Sequence, residues 1–271
     1  MSSPPLLTSV DGHITPSDEA VLPLPDDGLL RGDGVFEVLR LYGGRPFDLT
    51  GHLERLERSA AVIDLDVDRV TLEAEIYALL ARTGPVDALM RLVVSRGGRR
   101  LVSSEPLPVH TPTISLSTVI YSPTVILNGV KSLSYAANMQ ATRIARTTGA
   151  QEALLVTPEG MVLEAPTSTL FWVSEGRLRT TDPGHGVLAS ITAAVIIEAL
   201  DVELGHFPLN DVTGASEAFL ASTTREVQPV DSVDGQDIPI DPAPMTNHAR
   251  AAFAEALKSL RRKRPQVCGR P

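Results

Sequence analysis

The residue type that most asks for a chemical explanation is Lys131, in the stretch Asn128-Gly-Val-Lys-Ser-Leu-Ser-Tyr135. Of 24 basic side chains only three are lysines, and the other two, Lys258 and Lys263, fall in the last fourteen residues. Arginine equals or betters lysine in ion pairs and phosphate contacts, so those tasks do not select lysine. An amine that loses its proton and attacks a carbonyl does select it, because a guanidinium stays charged. A free lysine amine is neutral near pH 7 only about once in a few thousand molecules, so such a lysine needs surroundings that favour the neutral form. Drift also leaves single surface lysines, and composition alone does not choose between the two. Other reactive types offer less. The six histidines show no metal-ligand spacing. The only cysteine, Cys268, excludes an intrachain disulfide. No GxGxxG follows a strand, so the glycines of Gly32-Asp33-Gly34 and Gly43-Gly44 read as turns and not as a dinucleotide loop.

Holding such a lysine takes a core, and 271 residues suffice for one large domain or two medium ones. A net charge of −9 argues against a broad nucleic-acid footprint. No apolar run reaches the length of a membrane span, and the first twelve residues lack the basic and apolar regions of a secretory signal. The expectation is a cytoplasmic protein without membrane contact.

The elements follow from periodicity and punctuation. Residues 8–14 alternate around an Asp11-Gly12 turn, and residues 34–49 read as a hairpin around Tyr42-Gly43-Gly44-Arg45. Leu53, Leu56 and Ala60 at helical spacing mark a helix with Thr50 as its N-cap, and residues 70–84 form a second helix ending near Gly84. Residues 88–98 and 113–121 read as strands, with Arg99 and Arg100 in the loop after the first of them. The stretch 136–150 reads as a helix that stops at Gly149. Residues 152–181 read as strand, turn, strand and hairpin, and 191–200 as a buried helix. Strands at 216–224 and 226–235 precede a closing helix at 245–260. Strands in blocks with helices between them favour an α+β fold over a doubly wound sheet. The division expected is an N-terminal α+β lobe at 1–121, a connector at 122–129 and a C-terminal lobe at 130–271 that carries Lys131. Its basic tail, about 261–271, reads as disordered.

Four motifs occur in a fixed order: Arg31-Gly-Asp-Gly-Val-Phe-Glu-Val-Leu-Arg-Leu-Tyr42, Gly51-His-Leu-Glu-Arg-Leu56, Lys131-Ser-Leu-Ser-Tyr135 and Ser222-Thr-Thr-Arg-Glu-Val-Gln-Pro229. Together they resemble the class IV aminotransferases, the two-lobed fold-type IV pyridoxal 5'-phosphate enzymes, over about Asp11 to Gly235. Among these, the bacterial D-amino acid aminotransferases look most similar. The resemblance implies that Lys131 carries the cofactor as a Schiff base and shuttles the α-proton of the substrate. It implies that Glu164 faces the pyridine nitrogen and keeps it protonated. Arg55, the backbone of Ile191 and Thr192 at a helix start, Thr223 and Thr224 would bind the phosphate. Tyr135 would bond the phenolic oxygen. Arg31 (from a neighbouring subunit), Arg91 and Arg96 are the candidates for the substrate carboxylate. Amino acid and keto acid substrates and a homodimer with its active site near the interface are further implications.

The chain also departs from the family. Thr169 and Ala193 stand where asparagine and arginine are usual, and the Arg-x-His pair of the D-amino acid enzymes lacks its histidine in Met90-Arg-Leu-Val-Val-Ser-Arg-Gly97. That same stretch matches a pattern of aminodeoxychorismate lyases, which is the alternative activity. Branched-chain aminotransferases match only in part, with Val38 in place of the glycine of Phe-Glu-Gly. A binding protein that kept the fold without catalysis is the alternative outside enzymes, and the isolation of Lys131 speaks against it.

Overall fold

Residues 34–42 alternate Val35, Glu37, Leu39, Leu41 against Phe36, Val38, Arg40, Tyr42, and a pleated strand sends the two sets to opposite faces. One face must therefore bury a carboxylate, and the other must cover a phenylalanine beside an arginine. The computed structural model, which describes residues 6–262, shows how both are met.

The first half builds a six-stranded antiparallel sheet. β1 (Leu7–Val10) and β2 (His13–Pro16) turn at Asp11-Gly12, both in the left-handed region with φ of 50° and 87°, as a two-residue hairpin requires. α1 (Asp27–Arg31) follows, then β3 (Gly34–Tyr42) and β4 (Arg45–Pro46) around Gly43-Gly44. α2 (Leu49–Val62) and α3 (Arg69–Thr83) cover one side, and β5 (Ala88–Ser95) and β6 (Arg100–Glu105) complete the sheet in the order β2-β1-β6-β5-β3-β4. Val35, Leu39, Leu41, Met90 and Leu92 pack against Leu53, Leu56, Leu72 and Ile76 of the two helices. The cap of α2 is Asp48, whose carboxylate accepts the Gly51 N–H at 3.2 Å, and not Thr50. An aspartate one residue upstream of the apolar run serves as well as a threonine inside it.

The second half is an eight-stranded mixed sheet built from β7 (Ile114–Ile120), β8 (Glu152–Val156), β9 (Thr169–Ser174), β10 (Arg177–Thr181), β11 (Val202–Gly205), β12 (Glu217–Ser222), β13 (Glu226–Val233) and β14 (Gln236–Asp237). α4 (Ala136–Thr147) packs beside β8, α5 (Ile191–Ala199) and α7 (Pro244–Arg262) pack on β12 and β13, and the short α6 (Leu209–Thr213) abuts β9. Trp172, Leu154 and Leu220 centre one core, and the stacked rings of Phe171 and Phe219, 5.1 Å apart, centre another.

β7 pairs in parallel with β8 and β13, so it belongs to the second sheet. The chain therefore passes between the sheets at 106–113, ahead of the lobe boundary expected at 121. An apolar strand pattern does not say which sheet will bury it. Residues 122–129 hold a turn of 3₁₀ helix at Val125–Leu127, with Val125 and Ile126 exposed. Arg100 opens β6, where a loop was expected, and β11 and α6 are further additions. Of the tail expected to be disordered, residues 261 and 262 end α7 and the rest lies outside the described residues. Among the described residues no helix is long and apolar enough to cross a membrane.

Candidate active site

Lys131 sits where the two sheets meet, and its backbone is bonded into the first of them. Phe36 N–H donates to the Lys131 carbonyl at 3.0 Å, Leu133 N–H donates to Gly34 O at 2.9 Å, and Lys131 N–H donates to Ser59 Oγ on α2 at 3.2 Å. Gly34 allows this approach: a Cβ there would lie 2.6 Å from Val94 O and 2.7 Å from Leu133 Cδ1. The amine lies 4.5 Å from the centre of the Phe36 ring and 5.8 Å from that of Tyr135, and those two rings meet edge to face. Burial lowers the Lys131 pKa to about 8; Glu37 and Glu164 oppose the shift, while Arg55 and Arg91 add to it. One unit above neutrality leaves about a tenth of the amine unprotonated at pH 7. The surroundings that a nucleophilic lysine needs are present.

Glu164 lies in the same cavity, between β8 and β9. Its carbonyl accepts the Leu155 N–H, which fixes its backbone, and its Oε1 accepts the Leu188 N–H at 3.0 Å. Burial raises its pKa to about 7, against the opposing pull of that N–H and of Lys131 and Arg55. Tyr135 donates to Pro166 O, which also accepts from Asn138 Nδ2 at 3.2 Å, and burial pushes the phenol up. Thr169, also in the cavity wall, has a buried Oγ1 with no partner among the described residues.

Across the cavity, Arg55 is buried and not on an outer helix face. Its Nε and Nη2 donate to the two oxygens of Glu37, both at 2.7 Å, and its Nη1 donates to Ala189 O at 2.9 Å. His52, one turn earlier on α2, places Nδ1 2.8 Å from the same carboxylate, where its N–H donates. Glu37 has no solvent exposure, and burial alone would raise its pKa; hydrogen bonds from Arg55 and His52 overcome that and hold it at about 2. Ala189 leads into α5, where Ser190 Oγ caps the Ala193 N–H at 3.2 Å and Ile191 faces the cavity. Thr192 is buried on the inner side of that turn. Thr223 and Thr224, in the turn between β12 and β13, close the wall. Arg55, Lys131, Tyr135, Ile191, Thr223 and Thr224 thus line one chamber, and Glu164 joins from the side that Lys131 and Tyr135 share with it.

The arginines divide. Arg91 lines the chamber, its guanidinium 5.6 Å from the Phe36 ring, and is paired with Glu105. Arg96 does not reach it: its fork is held by Asp33 at 3.1 Å and by the carbonyls of Ile63 and Asp64, so it ties β5 to the end of α2. Arg31 lies on the exposed face of α1 beside Asp27, away from the cavity of its own chain. Three participants escaped the sequence reading. Glu37 is the one carboxylate in an otherwise apolar stretch, and His52 precedes Arg55 by three residues, a signal that was available. Arg225 had no such signal. Its fork reaches Ser168 at 3.2 Å, Glu152 at 3.1 Å and Gln228 at 2.5 Å, tying the threonine turn to the wall that contains Pro166 and Ser168.

The donor set suits a phosphorylated pyridine aldehyde. It has a lysine with a lowered pKa, a carboxylate across the cavity, and a helix start with two threonines and an arginine on one side. Comparison with known proteins agrees. The family described as "Amino-transferase class IV" matches residues 34–233. A putative branched-chain-amino-acid aminotransferase of Methanocaldococcus jannaschii is 32% identical over 84% of this chain and 88% of its own length. A D-alanine aminotransferase of Listeria monocytogenes is 31% identical over the same shares, 84% and 88%. An aminodeoxychorismate lyase of Bacillus subtilis is 27% identical over 93% of this chain and 94% of its own length. The structure of a hypothetical aminotransferase from Mycobacterium tuberculosis in its apo form superposes with a TM-score of 0.86 at 25% identity, covering 93% of this chain and 99% of that one.

Proposed function

The chain belongs to the class IV aminotransferases, enzymes that depend on pyridoxal 5'-phosphate, and from that premise we propose that it moves the amino group of a D-amino acid to a 2-keto acid. The observation that carries the reading is the Lys131 amine, partly neutral near pH 7, in one cavity with the Glu164 carboxylate. Bound there, the cofactor supplies a carbonyl carbon that takes up amines and a ring that accepts electron density.

Each residue then has a task of its own. Lys131 Nζ holds the cofactor and, when free, takes a proton from the α-carbon of the substrate and returns it. Glu164, its carboxylate fixed by the Leu188 N–H, would face the ring nitrogen and as a carboxylate would keep that nitrogen protonated. The N–H groups at the start of α5, the Thr223 and Thr224 hydroxyls and Arg55 hold the phosphate. Phe36 and Tyr135 exclude water from the amine. Arg91 anchors the substrate carboxylate. We further read the molecule as a homodimer in which Arg31 serves the neighbouring cavity. Support comes from the exposed apolar side chains Val21, Leu24, Leu29 and Leu30 around α1.

The preference for D-amino acids rests on the hairpin, lysine and threonine motifs and on the D-alanine aminotransferases among the relatives. Lyase activity on aminodeoxychorismate is the second reading, favoured by the Met90–Gly97 stretch and by a relative of that name. Purified protein assayed with D- and L-amino acids against pyruvate and 2-oxoglutarate, with aminodeoxychorismate alongside, decides among them. Turnover of D-alanine or D-glutamate well ahead of the L-forms is the expected result. Preference for L-leucine or L-valine, or activity confined to aminodeoxychorismate, overturns the substrate assignment.

A further inference from the structure

The cavity face of the first sheet carries one carboxylate that aminotransfer leaves without a task. In register, Arg91 lies opposite Val38 on β3 and opposite Ser103 on β6, and Glu105 follows two residues after Ser103 on the same face. Glu105 takes the Nε–Nη2 edge of the Arg91 guanidinium, Oε1 at 2.5 Å from Nε and Oε2 at 3.0 Å from Nη2. The Arg91 guanidinium and the Lys131 amine lie 5.6 and 4.5 Å from the centre of the same Phe36 ring. The fork that shares this ring with the reactive amine is therefore already engaged by a carboxylate belonging to the chain.

A substrate carboxylate presents the same two oxygens, and the Nε–Nη2 edge accepts one carboxylate at a time; the Nη1 side stays open, but its positive charge is offset by Glu105. The side chains of the pair are 38% and 30% exposed, so solvent screens its attraction and an entering carboxylate can replace it. We propose that Glu105 is a specificity-determining residue: it occupies the Nε–Nη2 edge of Arg91 and offsets its charge, as an internal competitor of the substrate carboxylate. The proposal rests on the reading of Arg91 as the substrate anchor. Its consequence is selective. Substrates that need the fork bind less tightly than the fork alone would allow, and amines or amides that do not need it carry no such penalty.

The test compares the amino acid that the enzyme turns over best with the amide of that amino acid, used as substrate or as competitive inhibitor. The wild type, Glu105→Gln, Glu105→Ala and Arg91→Ala are each assayed as holoenzyme. Both Glu105 variants are expected to lower KM for the amino acid about fivefold, leaving kcat and the amide constant within about twofold. If Arg91→Ala raises KM for the amino acid while neither Glu105 variant lowers it, the competitor role is overturned and Arg91 remains the anchor. If Arg91→Ala leaves that KM unchanged, the anchor reading falls and the proposal falls with it. Melting temperatures guard against a folding artefact: a fall in KM confined to the less stable of the two Glu105 variants also counts against the proposal.

Discussion

The two walls of the cavity treat a glutamate carboxylate in opposite ways. On the wall from the first sheet, Glu37 faces an arginine fork and a histidine N–H and is held down to about 2, so its charge is permanent and already balanced. On the wall from the second sheet, Glu164 has one backbone N–H and is pushed up to about 7. Glu37 is fully buried and Glu164 half-buried, both have cations nearby, and the direct hydrogen bonds from charged donors reach Glu37 alone. The first wall is finished before any ligand arrives. The second keeps unused capacity: a carboxylate near its titration point, a Thr169 hydroxyl without a partner among the described residues, and the start of α5. On the proposed reading, a bound group would complete the second wall and be clamped by the first.

Substitutions can break this contrast, starting with the residue between the walls. Lys131→Arg should abolish turnover, since a guanidinium neither takes up a carbonyl nor releases a proton at neutral pH. Borohydride should fix the cofactor to wild-type chain and not to the variant. A variant that still fixes it shows that the amine assignment is wrong.

Glu37→Gln should be the costliest change to the fold, because it leaves Arg55 buried without its counter-charge, at about 3–5 kcal/mol. The pH dependence follows from the lowered pKa. The stabilisation by Glu37 is fully present above about 4.5 and is lost as pH falls toward about 2, so the melting curves of variant and wild type should converge over that window. Glu164→Gln should act with the opposite sign on stability. The raised pKa makes ionisation of Glu164 unfavourable to the cofactor-free fold as pH rises from about 4.5 to about 7, so the cofactor-free variant should be the more stable above that range and equal to wild type below it. Its half-reaction should slow by about two to three orders of magnitude, as for loss of one charge-assisted contact to developing charge. Equal signs in the two melting experiments would remove the contrast between the walls.

The smallest effect belongs to Asp48→Ala. Removing the cap of α2 should cost about 1 kcal/mol of stability while cofactor affinity stays near that of wild type, because Glu37 fixes Arg55 independently of the helix start. Loss of cofactor through dialysis at unchanged melting temperature would show that the first wall depends on its helix more than on its carboxylate.

Much of this was open to reading in the chain. Asp11-Gly12 and Gly43-Gly44 announce their hairpins because few other residues adopt left-handed turns, and Lys131 stands out because arginine has replaced lysine elsewhere. Side-chain period fixes which residues share a face, so Phe36 and Val38 could be separated from Glu37 in advance. What period does not encode is the identity of the covering layer. That is why the strand pattern at 113–121 does not reveal that β7 pairs in the second sheet, and why sequence alone leaves Arg96 among the anchor candidates beside Arg91 and Arg31. Arg96 is consumed by Asp33 and two carbonyls from distant positions, and Arg91 is met by Glu105 fourteen residues on; neither meeting has a local signature.

Lys131 follows the crossover between the sheets in chain order, yet its carbonyl is bonded to Phe36 of the first sheet, whereas the Glu164 carbonyl is bonded to Leu155 of β8 in the second. Amine and carboxylate are thus bonded to different sheets. Any relative rotation of the sheets changes their separation before it breaks a single strand pairing. Activity should therefore be the earliest casualty of mild heating or low denaturant, vanishing while circular dichroism still reports both sheets as intact.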